Sequence, residues 1–440
     1  MLTPLSSPRE QPAGNQQDGN NLNERRELIK TVVASSLVTA LEMFDFTVFG
    51  FFAVMIGDQF FPAGDPLISL LWGVGTFGVG FLMRPVGAMM IGAYADRKGR
   101  RAALTRTTWL MALGTAALAL CPPYASIGVL APFVIIVARS LQGFAVGGDI
   151  GVASAFVLEA GPAARRGSRV SWQPASQGAA ALLGASLGIL IIHTLPPVAL
   201  ASWGWRIPFV VGLLIAPLGL YVRRRLRDVP MPQRAAQDAG MPLRELFRDH
   251  GNTIVLGMLM MMGQTIPVYS IVYFMPSYAM RVMHLPALTG YLASASSAFL
   301  LMVIPPLAGR LLDQLPRRKP VALVASGCTT LLVLPAFVLA TRATHALPII
   351  AGAALVSLTM AFSAVAIALL VLEALPARVR ASGMAVAQAF NVALFGGTAQ
   401  FIVTGLIKWT GDPLSAAWYV APACATSFCA IVLFRERRGS

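Results

Sequence analysis

Apolar runs of 18 residues or more, separated by short polar connections, recur along the whole chain of 440 residues. No other feature narrows the fold so far. A helix needs about 20 residues to cross the hydrocarbon core of a bilayer, and each run comes close to that length. Within lipid, every backbone N–H and C=O has to be paired inside the segment, which a helix achieves on its own. Twelve stretches qualify, near 30–56, 67–94, 102–120, 130–158, 168–194, 205–222, 251–280, 288–312, 320–341, 346–372, 379–408 and 415–434. They predict an all-α membrane protein of twelve transmembrane helices. Hydrophobic residues make up 56% of the sequence and mean hydropathy is +0.69, more apolar surface than a soluble core of this size can hide.

The 34 lysines and arginines outnumber the 19 acids and give a net charge of +15, which by itself suggests nucleic acid. Placement argues otherwise. In the twelve-span reading Arg281, Arg342 and Lys408 fall in outer loops, and Arg84, Arg139 and Arg206 fall within or at the edges of spans. The remaining 28 lie on one side, as the cytoplasmic face of a membrane protein requires. The expectation is therefore a multi-pass membrane protein with both termini cytoplasmic, partnered by the lipid bilayer and not by nucleic acid. Cys121, Cys328, Cys424 and Cys429 have no metal-ligand spacing and read as small core residues, so neither metal nor cofactor is expected.

Residues 1–28 are rich in Gln, Asn, Ser, Pro and Glu and read as a disordered cytoplasmic tail; the full-length first run argues against a cleaved signal peptide. Residues 223–250, opening on Arg223-Arg224-Arg225-Leu226-Arg227, form the one long connection. They divide the chain into a first six-helix bundle, 29–222, and a second, 251–435. The halves repeat. Gly92, Asp96, Arg100 and Arg101 are echoed by Gly309, Asp313, Arg317 and Arg318, and Glu159…Pro162…Arg166 by Glu373…Pro376…Arg380. Two independent patterns at nearly the same offset are what a parallel duplication of six spans leaves behind. In the second copy Gln314 and Pro316 replace Arg97 and Gly99, which predicts a weaker lock at that loop.

Two motif matches are set aside. Gly73-Val-Gly75-Thr-Phe-Gly78 fits a dinucleotide fingerprint and Gly184-Ala-Ser186-Leu-Gly188 a nucleophile elbow, but both motifs need a strand and a turn. Here both lie in long apolar runs, where small residues let helices approach closely. No zinc-protease, C-x-x-C or P-loop pattern appears, so neither an enzyme nor an ATP-driven pump is indicated.

Charges inside the apolar runs carry the functional argument, because they are costly there and face a cavity or a partner. Glu42 and Asp45 share one face of the first span. Glu42 lies about 18 Å along the helix from Lys30, and Arg139 roughly 12–14 Å in from the opposite surface. In a core about 30 Å thick they meet near the middle. Such an arginine binds a substrate carboxylate bidentately or holds the acids ionised, and acids released from it take up a proton. A structural ion pair between helices is the competing reading. Arg84 and Asp149 form a second pair nearer the cytoplasmic ends, where a gating or structural role is expected. Glu159 and Glu373, at span ends facing arginine-rich loops with Arg166 and Arg380, read as latches. Gln142, Gln173, Gln177, Gln264, Tyr269, Tyr273, Gln388 and Asn391 either line a cavity or bond a neighbouring helix. The four histidines do not cluster, so a histidine relay has no support.

The connector Gly92-Ala-Tyr-Ala-Asp96-Arg97-Lys98-Gly99-Arg100-Arg101 resembles the loop between the second and third spans of major facilitator transporters, with pattern G-x-x-x-D-R-x-G-R-R. The resemblance implies that fold, two pseudo-symmetric six-helix bundles, and a gating role for these residues. Leu41-Glu42-Met-Phe44-Asp45-Phe46, Phe81-Leu-Met-Arg84-Pro85-Val-Gly87, Arg139-Ser-Leu-Gln142-Gly143-Phe-Ala-Val-Gly147-Gly148-Asp149 and Trp203-Gly-Trp205-Arg206-Ile-Pro208-Phe209 are similar to signatures of the metabolite:proton symporters. Ser171-Trp172-Gln173…Ser176-Gln177 looks like the citrate and tricarballylate carriers, and Phe395-Gly-Gly-Thr398-Ala-Gln400 like the 2-oxoglutarate carriers. Asp149, where the family more often has Glu, and Gln388, where citrate carriers tend to have Tyr, leave the exact acid open. The resemblance implies a monomeric symporter of a small organic acid anion and protons, with Arg139 on the substrate and Glu42 and Asp45 in proton coupling. An osmolyte importer of the proline/betaine type and a drug–proton exporter are the alternatives. The exporter's Gly-Pro-x-x-Gly-Gly motif is missing from Gly178–Gly188.

Overall fold

The computed structural model describes residues 40, 42–98, 100–159, 165–213, 243–376 and 379–436, with the side chains of 92–93, 95–97, 100–101, 104, 148–159, 243–247 and 381–382 left aside. In chain order the helices are α1 (Glu42–Phe51), α2 (Ala53–Phe60), α3 (Pro66–Leu82), α4 (Arg84–Lys98), α5 (Arg100–Leu120), α6 (Tyr124–Ile127), α7 (Leu130–Glu159), α8 (Arg166–Val170), α9 (Trp172–Thr194) and α10 (Pro197–Ser202). A helical segment α11 (207–213) follows. The second half holds α12 (Leu243–Pro267), α13 (Met275–Arg281), α14 (Ala287–Gln314), α15 (Lys319–Thr341), α16 (Ala346–Ala374), α17 (Arg380–Asn391), α18 (Gly397–Thr410) and α19 (Ser415–Leu433). Asp65 caps α3 by accepting the Leu67 N–H at 2.8 Å, with Pro66 in the first turn, where its missing N–H costs nothing. Gly411, at φ 70°, closes α18 in the left-handed conformation that glycine tolerates.

Among the described residues helix occupies some part of each of the twelve stretches assigned from hydropathy, the first from residue 42 onward and the sixth as far as residue 213. Nine helical stretches among the described residues are long and apolar enough to cross a membrane, and the pair α1 and α2, bent by 69°, makes a tenth if it is one span. Helix α5 is not among them because Arg100, Arg101, Arg106 and a run of threonines make its first two turns polar. The proposed tail 1–28 and most of the connection 223–250 lie outside the described residues.

Among the described residues three spans are interrupted, the first at Phe52, the seventh between its prolines and the eleventh at Val392–Gly396. Pro267 and Pro276 have no N–H to give the carbonyls four residues back. The carbonyl of Gly263 instead accepts from Cys424 Sγ at 3.6 Å, and that of Val272 from Ser294 Oγ at 2.6 Å. Between the two prolines, Val268–Tyr273 forms a π-helical turn, and a second such turn, Val392–Gly396, joins α17 to α18. In the first span, the Phe51 carbonyl at the bend accepts from the Tyr291 hydroxyl at 2.9 Å. π-turns of this kind widen a helix and collect at functional sites.

Packing within each half runs α4 and α5 against α7, and α14 against α16, α16 against α15 and α15 against α19. The halves meet along two seams, α9 against α14 and α3 against α18. Both glycine motifs lie on seams. Gly78 abuts the Gly397 carbonyl and Gly188 the Tyr291 ring, so these motifs serve helix approach. Large apolar side chains such as Trp72, Trp109 and Trp409 point outward, as a lipid-facing surface requires.

Candidate functional site

The centre of the first half is an aromatic cluster holding two arginines. Arg139 on α7 is completely buried, and its guanidinium carbon lies 4.4 Å from the centre of the Phe46 ring and 4.3 Å from that of Phe49. Arg84 is also buried and sits 4.5 Å from the same Phe46 ring and 4.1 Å from Phe81. Stacking against aromatic faces offsets part of the cost of keeping a cation out of water. Close helix approach makes this geometry. A Cβ on Gly143 would run into the backbone of Gly80, and one on Gly147 into the backbone of Arg84. With glycine at both places, α7 presses against α3 and α4 and carries Arg139 alongside Arg84.

Among the described residues no acid forms an ion pair with Arg139. Its Nη1 donates to Gln142 Oε1 at 2.7 Å, and Gln142 Nε2 donates to Thr115 Oγ1 at 2.9 Å. The Thr115 hydroxyl donates in turn to Asp45 Oδ2. All four groups are nearly or fully buried. Among the described residues, Nε and Nη2 of both arginines and Oδ1 of Asp45 have no hydrogen-bond partner. The four arginine atoms are donors, so the two guanidiniums can still bond an anion, whereas Asp45 Oδ1 is an acceptor packed against Gly212. Glu42, half-buried one turn before Asp45, is within electrostatic reach of Arg84.

The second half contributes through its first π-turn. Tyr269 packs on Phe81 and Phe77, at centroid distances of 5.4 and 5.9 Å, and on Tyr273 at 5.1 Å. Gln400 Nε2 donates to the Tyr269 carbonyl at 3.4 Å. Asn391 bonds Thr265 through Nδ2 at 2.6 Å while its Oδ1 has no partner among the described residues. Gln173, Gln177 and Gln388 are half-buried, and no described hydrogen bond joins them to the Arg139 chain. Gln264 bonds Ser363 at 3.3 Å. Sequence reasoning passed over Thr115 and the phenylalanine cage. The Phe-Asp-Phe run at 44–46 hinted at the cage, but nothing marked Thr115 among the threonines of α5.

Two further contact sets tie the halves together at opposite ends. At the end rich in arginine, Asp313 accepts from the Gly167 N–H at 2.6 Å, the Ser168 N–H at 2.9 Å and Ser168 Oγ at 2.6 Å. There the backbones of Gly309 and Gly167 cross so closely that neither position has room for a Cβ. Glu373 pairs at 3.9 Å with Arg318 rather than with its exposed neighbour Arg317. Arg380 Nε caps α16 by donating to the Leu372 carbonyl at 2.7 Å, while Arg166 opens α8 half-buried. At the opposite end, Arg281 pairs with Asp58 and Lys408 with Asp65. Gly99 and the side chains of Asp96, Arg97, Arg100, Arg101, Asp149 and Glu159 lie outside the described residues, as do further details of Gly92.

A bundle of membrane helices with a closed polar centre, tied across its two halves at both ends, defines a membrane transporter. The chain belongs to the Major Facilitator Superfamily, which it matches over residues 35–399. It is 34% identical to the citrate-proton symporter of Klebsiella pneumoniae, over 90% of this chain and 89% of that protein. The alpha-ketoglutarate permease of Escherichia coli is 31% identical, over 95% of this chain and 96% of that protein. The proline/betaine transporter of Salmonella typhimurium is also 31% identical, over 90% and 81%. Among solved structures, the partially occluded inward-open xylose transporter XylE of E. coli superimposes with a TM-score of 0.72 at 17% identity, covering 94% of this chain and 99% of that one. The relatives and the structural neighbour are transporters, not enzymes.

Proposed function

We propose that the chain is a proton-coupled importer of a di- or tricarboxylate of the citrate or 2-oxoglutarate class, working by alternating access as a monomer in a bacterial inner membrane. The observation that carries this reading is the buried Arg139, which uses one side of its guanidinium on Gln142 and leaves Nε and Nη2 without partners. Arg84, on the same phenylalanine, offers a second cation. A planar guanidinium suits a carboxylate because two N–H groups meet two oxygens. In this reading Gln173, Gln177, Tyr273, Gln388 and Asn391 complete the substrate site from the remaining spans. Asp45, with Glu42 beside it, takes up the proton.

The basic end faces the cytoplasm, by the excess of Lys and Arg there. Residues 29–222 and 251–435 act as two bundles that rock about the central site, joined by 223–250. Asp313 on Gly167 and Ser168 holds the cytoplasmic end shut, aided by Glu373, Arg318 and the loop from Gly92 to Arg101. Asp58 and Asp65 hold the outer end. Moving a polyanion inward against an inside-negative potential costs about 2.3 kcal/mol per net charge per 100 mV, and proton symport offsets that cost. Osmolyte import is less well supported. A quaternary ammonium needs open aromatic faces, and here Arg84 and Arg139 already cover Phe46, Phe49 and Phe81.

The test is uptake of labelled citrate, and separately 2-oxoglutarate, into proteoliposomes with an inward proton gradient and with that gradient collapsed. Gradient-dependent accumulation of either is expected, and Arg139→Ala should abolish it while the protein still purifies folded. Movement of betaine alone would overturn the carboxylate reading, and full uptake by the variant would remove Arg139 from it.

A further inference from the structure

The order of donors between Arg139 and Asp45 is fixed by chemistry. A guanidinium has only donors, so Gln142 turns its carbonyl towards Arg139 and its amide N–H groups away. Nε2 then meets Thr115 Oγ1, which has a single hydrogen to give. Two acceptors compete for that hydrogen, Asp45 Oδ2 and the Met111 carbonyl at 3.0 Å. Thr115 is thus a two-position switch set between a buried acid and a buried cation.

We propose that Thr115 couples proton to substrate in this transporter: its hydroxyl relays the protonation of Asp45, through Gln142, to the guanidinium of Arg139. The inference rests on the functional reading above. With Asp45 ionised, the hydroxyl hydrogen points at the carboxylate, and the polarised oxygen holds Gln142 firmly against Arg139. A proton arriving from water on the outer side binds Asp45, which becomes the donor to Thr115. The hydroxyl hydrogen swings to the Met111 carbonyl. Thr115 now accepts from two donors without an anion behind it, the Gln142 bond loosens, and Arg139 Nη1 joins Nε and Nη2 in meeting the substrate. Release of the proton reverses each step.

The groups around Asp45 favour this route. Arg139 faces it from α7, Arg84 on α4 shares the Phe46 ring with Arg139, Glu42 lies on its own helix, and Tyr269 and Tyr273 lie on the first π-turn of the second half. On α11 the neighbour is Gly212, where a Cβ would strike Asp45 Oδ1, and the described residues 207–213 carry no charge. Thr115 is the one described side chain that donates a hydrogen bond to the Asp45 carboxylate.

The experiment compares two activities in the same proteoliposomes: proton-driven accumulation of citrate or 2-oxoglutarate, and its gradient-free exchange. Thr115→Val keeps the shape and removes the hydroxyl; Thr115→Ser restores it. For Thr115→Val, the ratio of accumulation to exchange should fall by at least about tenfold, the loss of one hydrogen bond to a charged group. Its exchange should also lose the pH dependence of the wild type, and Thr115→Ser should recover both. An unchanged ratio and pH profile in Thr115→Val overturns the relay, as does a parallel loss of both activities. A wild type that moves neither acid overturns the substrate reading instead. The relay is then decided without substrate, by the infrared carboxyl band of Asp45 in purified protein titrated with acid. A midpoint displaced by Thr115→Val supports the relay, and an unmoved one overturns it.

Discussion

Arg84 matters as much for its company as for its charge. It opens α4, directly after Met83 at the end of α3 and directly before Pro85, and its guanidinium lies over Phe81 and Phe46. Position in the sequence suggested a gate; the fold puts it beside Arg139. A lysine at this place keeps the charge but not the planar stack or the fork of donors. Arg84→Lys is expected to raise the KM for a tricarboxylate about tenfold, a loss equivalent to about 1.4 kcal/mol, with a smaller effect on a monocarboxylate. Transport kinetics for both substrates, measured side by side, check this.

Helices reach the geometry of the site by giving up side chains at their contacts. Gly80 with Gly143, and Arg84 with Gly147, bring α3, α4 and α7 to backbone contact. Forcing a methyl group into such a contact costs about 1–3 kcal/mol. Gly143→Ala should therefore lower the thermal unfolding midpoint in detergent and impair transport. Gly64→Ala, in a loop with open space around it, should change neither. The prolines of the seventh span follow the same economy, since each freed carbonyl finds a donor on another helix, Cys424 or Ser294.

Closure at both ends is a property of the whole molecule. Asp313 ties the halves at one end, and the pairs Asp58–Arg281 and Asp65–Lys408 tie them at the other, which the functional reading assigns to the outside. The Lys408 ammonium, with the Leu67 N–H, holds the Asp65 carboxyl below its ordinary value of 3.8. A carboxylate shifted down contributes its tie fully above the ordinary value and loses it as pH falls through the lowered one. With the four native cysteines replaced and one introduced at Thr47, external thiol labelling reads the opening of that end. The double variant Asp58→Asn, Asp65→Asn is expected to label several-fold faster than its parent at neutral pH. As the medium is acidified, the parent should approach the variant's rate.

Much of this protein was legible before any fold was known. The twelve apolar stretches and the buried positions of Asp45 and Arg139 depend on the cost of exposing polar groups to lipid, which local sequence reports directly, and the repeated Gly…Asp…Arg pattern reports a duplication. The duplication pointed to Asp313, but not to the Gly167 and Ser168 amides it accepts from, because main-chain donors leave no mark in a sequence. Depth along the spans paired Arg84 with Asp149 and was silent on its aromatic neighbours. Only the packing of α7 against α3 and α4 joined it to Phe46, and only the approach of α5 brought Thr115 between Asp45 and Gln142. Burial is a property of one segment and is written along it; a contact between distant segments is set by how closely their helices can pack, and the tertiary structure alone decides it.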